Sequence, residues 1–163
     1  MNEKTYMPAD ESAPASQVGA TLEALAATIA ARREAGEESY THRLLTGSVD
    51  APLKKLMEEA GEVALAAKDV EGWATSSMAA ALGFDAALGA DGDAMAVQLP
   101  AEYGQAVDHL RYEAADVVYH LLVVLERYGI SIDEFAAELN NRMTEEERPA
   151  GAIRLKEEYV RRR

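Results

Sequence analysis

The sequence predicts an all-α protein, a helical bundle of four to five main helices completed by dimerisation. Three observations lead there. Apolar residues recur at helical spacing over long stretches, and no stretch alternates as a half-buried strand would. One predicted helix is apolar almost all round its second half, so it needs cover on every side, in a bundle core or a subunit interface.

Each element can be justified in turn. Residues 1–19 hold Pro8, Ser12, Pro14 and Ser16 among several acids without periodicity, and they predict a flexible N-terminal tail. The domain proper is expected over 20–143. Leu22, Leu25, Ala26, Ile29 and Ala30 mark a first helix, with Thr21 as its N-cap and Gly36 just beyond its end. Residues 37–50 are polar and turn-rich and predict a loop. A second helix starts near Asp50, with Pro52 in the first turn, where its missing N–H does no harm. It is expected to reach about Val70 on a stripe of Leu53, Leu56, Met57, Ala60, Ala64 and Ala67.

Gly72, Gly83, Gly89, Gly92 and Pro100 interrupt the weakly apolar runs of residues 71–106. A short helix over about 73–82 is expected there, with Trp73, Met78 and Phe84 forming a patch against the main body. Asp91-Gly92-Asp93 lacks the alternating oxygens and closing glutamate of a calcium loop, so no calcium site is expected. A third helix spans about 104–128. It carries Leu110, Ala114, Val117, Val118, Leu121, Leu122 and Leu125, joined by Val123 and Val124, and Gly129 ends it. Ser131-Ile132-Asp133-Glu134 reads as a capping box opening a fourth helix, to about Met143. The charged C-terminal segment 144–163 predicts a last helix or a frayed end.

Composition narrows the function. The 163 residues include no cysteine, which removes disulfides, cysteine nucleophiles and cysteine-ligated metals. A formal net charge of −13 argues against nucleic acid as a partner, because that surface demands clustered positive charge. No run of about eighteen apolar residues exists, so no membrane partner is expected. The first sixteen residues lack the apolar core of a signal peptide, and the expected location is cytoplasmic. An acidic protein that acts on an anionic metabolite still needs a local source of positive charge.

Two groups of carboxylates sit on helices that otherwise call for burial. Glu59 and Glu62 share one helix face at i, i+3, with Glu58 beside them and Lys55 one turn before Glu59. Glu113 and Asp116 repeat the spacing on the most apolar helix, with His120 one turn further on. Such pairs are common on solvated faces, and His120 alone suits a hydrogen-bonded core position. Tyr112 and Tyr119 fit packing roles with their hydroxyls at the rim. If the two helices pack side by side, however, four carboxylates meet. They cannot all stay ionised in a partly dry site without a counter-charge. A hard divalent cation such as Mg²⁺, which takes carboxylate and phosphate oxygens, answers both this crowding and the missing positive charge. A second constellation is Ser39, Tyr40, Thr41 and Arg43, followed by Lys54 and Lys55. Hydroxyls and cations of this kind can bind phosphate oxygens, or form a plain polar connector.

The order E-E-x-x-E, then E-x-x-D, resembles the all-α nucleotide pyrophosphohydrolase superfamily that includes MazG-type enzymes. The longer runs SYTHRLLTGSVDAPLKKLMEEAGEVALAAKD (39–69) and YEAADVVYHLLVVLERYGISIDEFAAEL (112–139) resemble, more narrowly, the phosphoribosyl-ATP pyrophosphohydrolases of histidine biosynthesis. The likeness covers Leu22 to Met143 apart from 71–106. It implies Mg²⁺-dependent hydrolysis of the α–β phosphoanhydride of phosphoribosyl-ATP to phosphoribosyl-AMP and pyrophosphate, by a helical homodimer. It implies that Glu59, Glu62, Glu113 and Asp116 form the catalytic, metal-holding set; Glu58 completes the first motif, as an outer partner or a plain surface acid, and His120 matches the family's Tyr-His pair at the edge of the set with no chemical role assigned. Arg43, Lys54 and Lys55 would contact phosphates, and Ser39, Tyr40 and Thr41 would shape the substrate loop. The chain departs from the family in one place: fifty residues, 63–112, separate Glu62 from Glu113, where the family has a shorter link, so an insertion is expected at about 71–106. A MazG-like housecleaning nucleoside triphosphate pyrophosphatase is the alternative, and a non-enzymatic helical dimerisation module a more distant one.

Overall fold

The structure, a computed structural model, describes residues 3–88 and 99–160. It is all-helical: α1 (Gln17–Ala31), a 3₁₀ turn (Arg32–Glu34), α2 (Tyr40–Thr46), α3 (Asp50–Leu88), α4 (Ala101–Arg127), α5 (Ile132–Asn141) and a last 3₁₀ turn (Glu157–Tyr159). No strand occurs among the described residues, and no helix among them is long and apolar enough to cross a membrane. Two compact units form: residues 1–48 with 122–163, and residues 49–121.

In the first unit, α1 starts a turn earlier than Thr21. Ser16 has extended backbone, and its Oγ accepts the Gly19 N–H at 3.1 Å, so it takes the cap that Thr21 was expected to provide. Gly36 follows the 3₁₀ turn with φ +80°, the left-handed conformation a glycine allows at a helix exit. The stretch expected to be a loop contains α2. Ser39 caps it by accepting the His42 N–H at 3.3 Å, and Leu44 and Leu45 bury its apolar side.

Seven residues are too few to form a stable helix alone, and the means that hold α2 in place lie far away in sequence. Arg127 donates through Nη1 to the Leu44 carbonyl (2.6 Å) and through Nη2 to the Gly47 carbonyl (2.8 Å). These are the carbonyls that a helix end leaves without partners. The His42 Nδ1–H donates to the Arg33 carbonyl at 2.7 Å. Arg33 in turn bonds Glu126, reaching its carbonyl at 3.0 Å and its carboxylate at 3.1 Å. Among the described residues, Ile29, Leu44, Leu45, Leu122, Val123 and Ala137 are the buried ones of this unit.

The predicted capping box is present. Ser131 Oγ accepts the Glu134 N–H at 3.1 Å, and Glu134 accepts the Ser131 N–H at 3.3 Å. Beyond α5 no further α-helix forms among the described residues. Arg148 closes the end of α5 instead, donating to the carbonyls of Asn140 and Met143, each at 2.9 Å.

The second unit holds α3 and the Ala101–Leu121 part of α4. The predicted helix to Val70 and the short helix over 73–82 are one continuous α3. A glycine inside a helix costs only about 1 kcal/mol, too little to end α3 at Gly72. The buried face of α3 also differs from the expected stripe. Pro52, Glu59 and Ala66, spaced seven apart, are buried, with Leu56 and Val63 half-buried between them and Val70 half-buried one turn beyond. Leu53, Met57, Ala60 and Ala64 are exposed. The seam is rotated by about one residue, and that rotation carries a glutamate inward. In α4 the same interval buries Ala106, Glu113 and His120. Trp73, Met78 and Tyr112 are exposed, contrary to the packing expected of them. The Phe84 side chain and Asp91-Gly92-Asp93 lie outside the described residues.

Candidate metal centre

The centre rests on the seams of α3 and α4. Two turns of helix separate residues seven apart, so the buried positions of each helix form a straight row. Glu59 lies mid-row on α3 and Glu113 mid-row on α4, only 6 % and 7 % exposed. Asp116, half-buried, follows Glu113 by one turn. One oxygen from each of Glu59, Glu113 and Asp116 can be chosen so that all three lie within 4.8 Å of one another.

Carboxylates this close repel, and buried ones have lost their water. The chain compensates in part from its own residues. Lys55 Nζ lies 2.6 Å from Glu59 Oε1 and 3.2 Å from Glu58 Oε2. That hydrogen bond is the main reason the Glu59 carboxyl is held below its ordinary pKa, and the same bond raises Lys55. His109 Nε2 lies 2.9 Å from Glu113 Oε1. His120, only 4 % exposed, sets Nε2 3.7 Å from Glu59 Oε1, and Tyr119 packs edge-on against its ring at 5.0 Å. Burial holds His120 below the usual histidine value, which favours the neutral imidazole. Glu62 is exposed on the flank of the Glu59 row. Its pKa is raised, first by the carboxyl–carboxyl contact with Glu59 and also by the charge of Glu113.

The donor set suits a hard divalent cation. Oxygen ligands of one Mg²⁺ stand roughly 3–4 Å apart, so the three carboxylates need only a small closure to share an ion. The geometry thus gathers Glu59, Glu113 and Asp116, with Glu62 touching Glu59 from outside and Glu58 bound to its lysine. Lys54 is exposed. Ser39, Tyr40, Thr41 and Arg43 belong to the other unit. There Ser39 caps α2, and Arg43 donates to the carbonyls of Glu37 (2.6 Å) and Glu38 (3.1 Å) beneath the Tyr40 ring. Sequence reasoning passed over His109, whose one signal is its i, i+4 spacing to Glu113.

A helical chain that converges carboxylates from two long helices is of the class built to hold a hard divalent cation. Comparison with known proteins is specific. The family model described as phosphoribosyl-ATP pyrophosphohydrolase matches residues 22–143. A phosphoribosyl-ATP pyrophosphatase of Paracidovorax citrulli is 34 % identical over 134 residues, covering 80 % of this chain and 75 % of that protein. One from Methylobacterium nodulans is 38 % identical over 109 residues, covering 67 % and 69 %. One from Limosilactobacillus fermentum is 34 % identical over 122 residues, covering 74 % and 82 %. No solved structure matches significantly. The chain belongs to the phosphoribosyl-ATP pyrophosphohydrolase family and is an enzyme of the pyrophosphohydrolase class.

Proposed function

We propose that this chain hydrolyses the α–β phosphoanhydride of phosphoribosyl-ATP to phosphoribosyl-AMP and pyrophosphate, the second step of histidine biosynthesis, with Mg²⁺ held by its acidic cluster. The observation that carries the reading is the convergence of Glu59, Glu113 and Asp116 inside the span matched to the family. These three would hold the ion, and Glu62 completes the carboxylate set. When bound, Mg²⁺ neutralises phosphate oxygens and stabilises the departing pyrophosphate.

The remaining work falls to side chains. Glu62, exposed and the least enclosed of the four carboxylates, is the group we assign to accept the proton of the attacking water. Lys54, Lys55 and Arg43 are assigned to substrate phosphates, and Ser39, Tyr40 and Thr41 to the substrate loop. Glu58 and His120 serve as outer partners of Glu59. We place the reaction in the cytoplasm.

We also assign a homodimer. Met57 and Leu65 on α3 are 75 % and 69 % exposed, and Tyr112 on α4 is 64 % exposed. A two-fold partner would cover apolar side chains of this size. Sedimentation at micromolar concentration should show a dimer, and a monomer there would remove the assignment.

The activity is tested by incubating purified protein with phosphoribosyl-ATP and Mg²⁺ and measuring pyrophosphate. Release that stops when Mg²⁺ is chelated supports the reading. Cleavage of nucleoside triphosphates with phosphoribosyl-ATP left intact would replace it with a housecleaning role.

A further inference from the structure

The cation nearest the buried carboxylates belongs to the chain itself. Lys55 stands one helical turn before Glu59 and reaches it at 2.6 Å. Its Nζ also meets Glu58 Oε2 at 3.2 Å, and the Glu58 side chain is half exposed. His120 faces the same Glu59 oxygen from 3.7 Å, beyond hydrogen-bond reach. His109 pairs with Glu113 on the other helix. An ammonium and a divalent ion repel each other and compete for the same carboxylate. A lysine can leave such a contact easily, because it is a compact charge on a flexible four-carbon stem.

We infer that Lys55 is an exchangeable internal cation: it neutralises Glu59 until a divalent ion arrives, is displaced by that ion, and is then released to bind a substrate phosphate. The inference rests on the reading of Glu59, Glu113 and Asp116 as the metal-holding set. Two observations support the exchange beyond the close contact. Lys55 has a second carboxylate, Glu58, already in its coordination at the exposed end, so the displaced ammonium keeps a partner. Its own side chain is about one-third exposed, so the movement needs no opening of the core. The exchange orders events: substrate phosphates meet a free Lys55 only after the metal has entered. An apo protein that held its buried acids with no cation would be less stable, and one that held them with a fixed arginine would resist loading.

The test is calorimetric binding of Mn²⁺ to the full-length protein without substrate, comparing wild type with Lys55→Met and Lys55→Gln. Loss of a competing charge-assisted hydrogen bond should tighten Mn²⁺ binding by about tenfold or more. The metal-free variants should melt at lower temperature than wild type, and saturation with Mn²⁺ should close that gap. With saturating metal, KM for phosphoribosyl-ATP should rise more than kcat falls. Equal or weaker Mn²⁺ binding in the variants overturns the exchange. Absence of Mn²⁺ binding in wild type and variants alike overturns the metal reading beneath it. Should the variants fail to fold, the ¹³Cε resonance of Lys55 in labelled wild-type protein decides: it must move as Mg²⁺ saturates the site, and a fixed resonance overturns the exchange.

Discussion

The two units differ in what they bury. Among the described residues, the first unit buries Ile29, Leu44, Leu45, Leu122, Val123 and Ala137, all apolar. The second buries Pro52, Ala66 and Ala106, and with them Glu59, Glu113 and His120. Charged groups are present in both, but their use differs. In the first unit, Arg33, Arg127 and Arg148 each bond backbone carbonyls, which is a structural task. In the second, carboxylates face one another and take Lys55 and His109 as partners from their own helices. Burying a charge is costly unless it is paired, so a unit that buries acids together is built around something other than its own stability.

That contrast can be broken most directly at Glu59. Glu59→Gln and Asp116→Asn should each lower pyrophosphate release by about 10²-fold or more, the scale of losing a group that stabilises transition-state charge. Metal-free melting temperature should change little: relief of crowding among the acids offsets, at Glu59, the lost contact with Lys55. A large drop in apo stability in both variants would erase the distinction between the units. The converse lies at Leu122. Leu122→Ala should destabilise by about 2–5 kcal/mol in denaturant unfolding, while Mn²⁺ affinity of the remaining folded protein stays near wild type.

A smaller effect is expected at Arg127. Its replacement by alanine leaves the carbonyls of Leu44 and Gly47 without their donor and should cost about 1–3 kcal/mol. Hydrogen exchange should show the loss confined to α2. Smaller still, Ser131→Ala removes one side of a capping box at an exposed helix start and should cost about 1 kcal/mol by thermal melting.

Local signals in the sequence were easier to read than distant ones. The Ser131–Glu134 box was legible because both partners lie within one turn and the geometry is self-contained. The α2 helix was not, since its end depends on an arginine 80 residues away from Gly47. Glycines misled over α3, where the helix continues through Gly72 without interruption. At the site, acids on apolar helices were visible at once, and so was the i, i+3 spacing of Glu113 and Asp116. Which acid of each pair turns inward was not visible. The expected stripe assumed that apolar residues face the interior, and α3 violates that assumption at Glu59 and at Met57 together. His109 carried no compositional signal, and its part became apparent only once Glu113 was seen to be buried beside it.

The seven-residue rows of α3 and α4 have a consequence for engineering. Glu59 and Glu113 occupy positions at which any procedure that rewards thermostability alone would install leucine or methionine, and the resulting protein would fold well. Improvement of this chain therefore has to be sought in the first unit, around α2 and α5. A library screened by heat without an activity counter-selection would drift toward a stable bundle that no longer turns over.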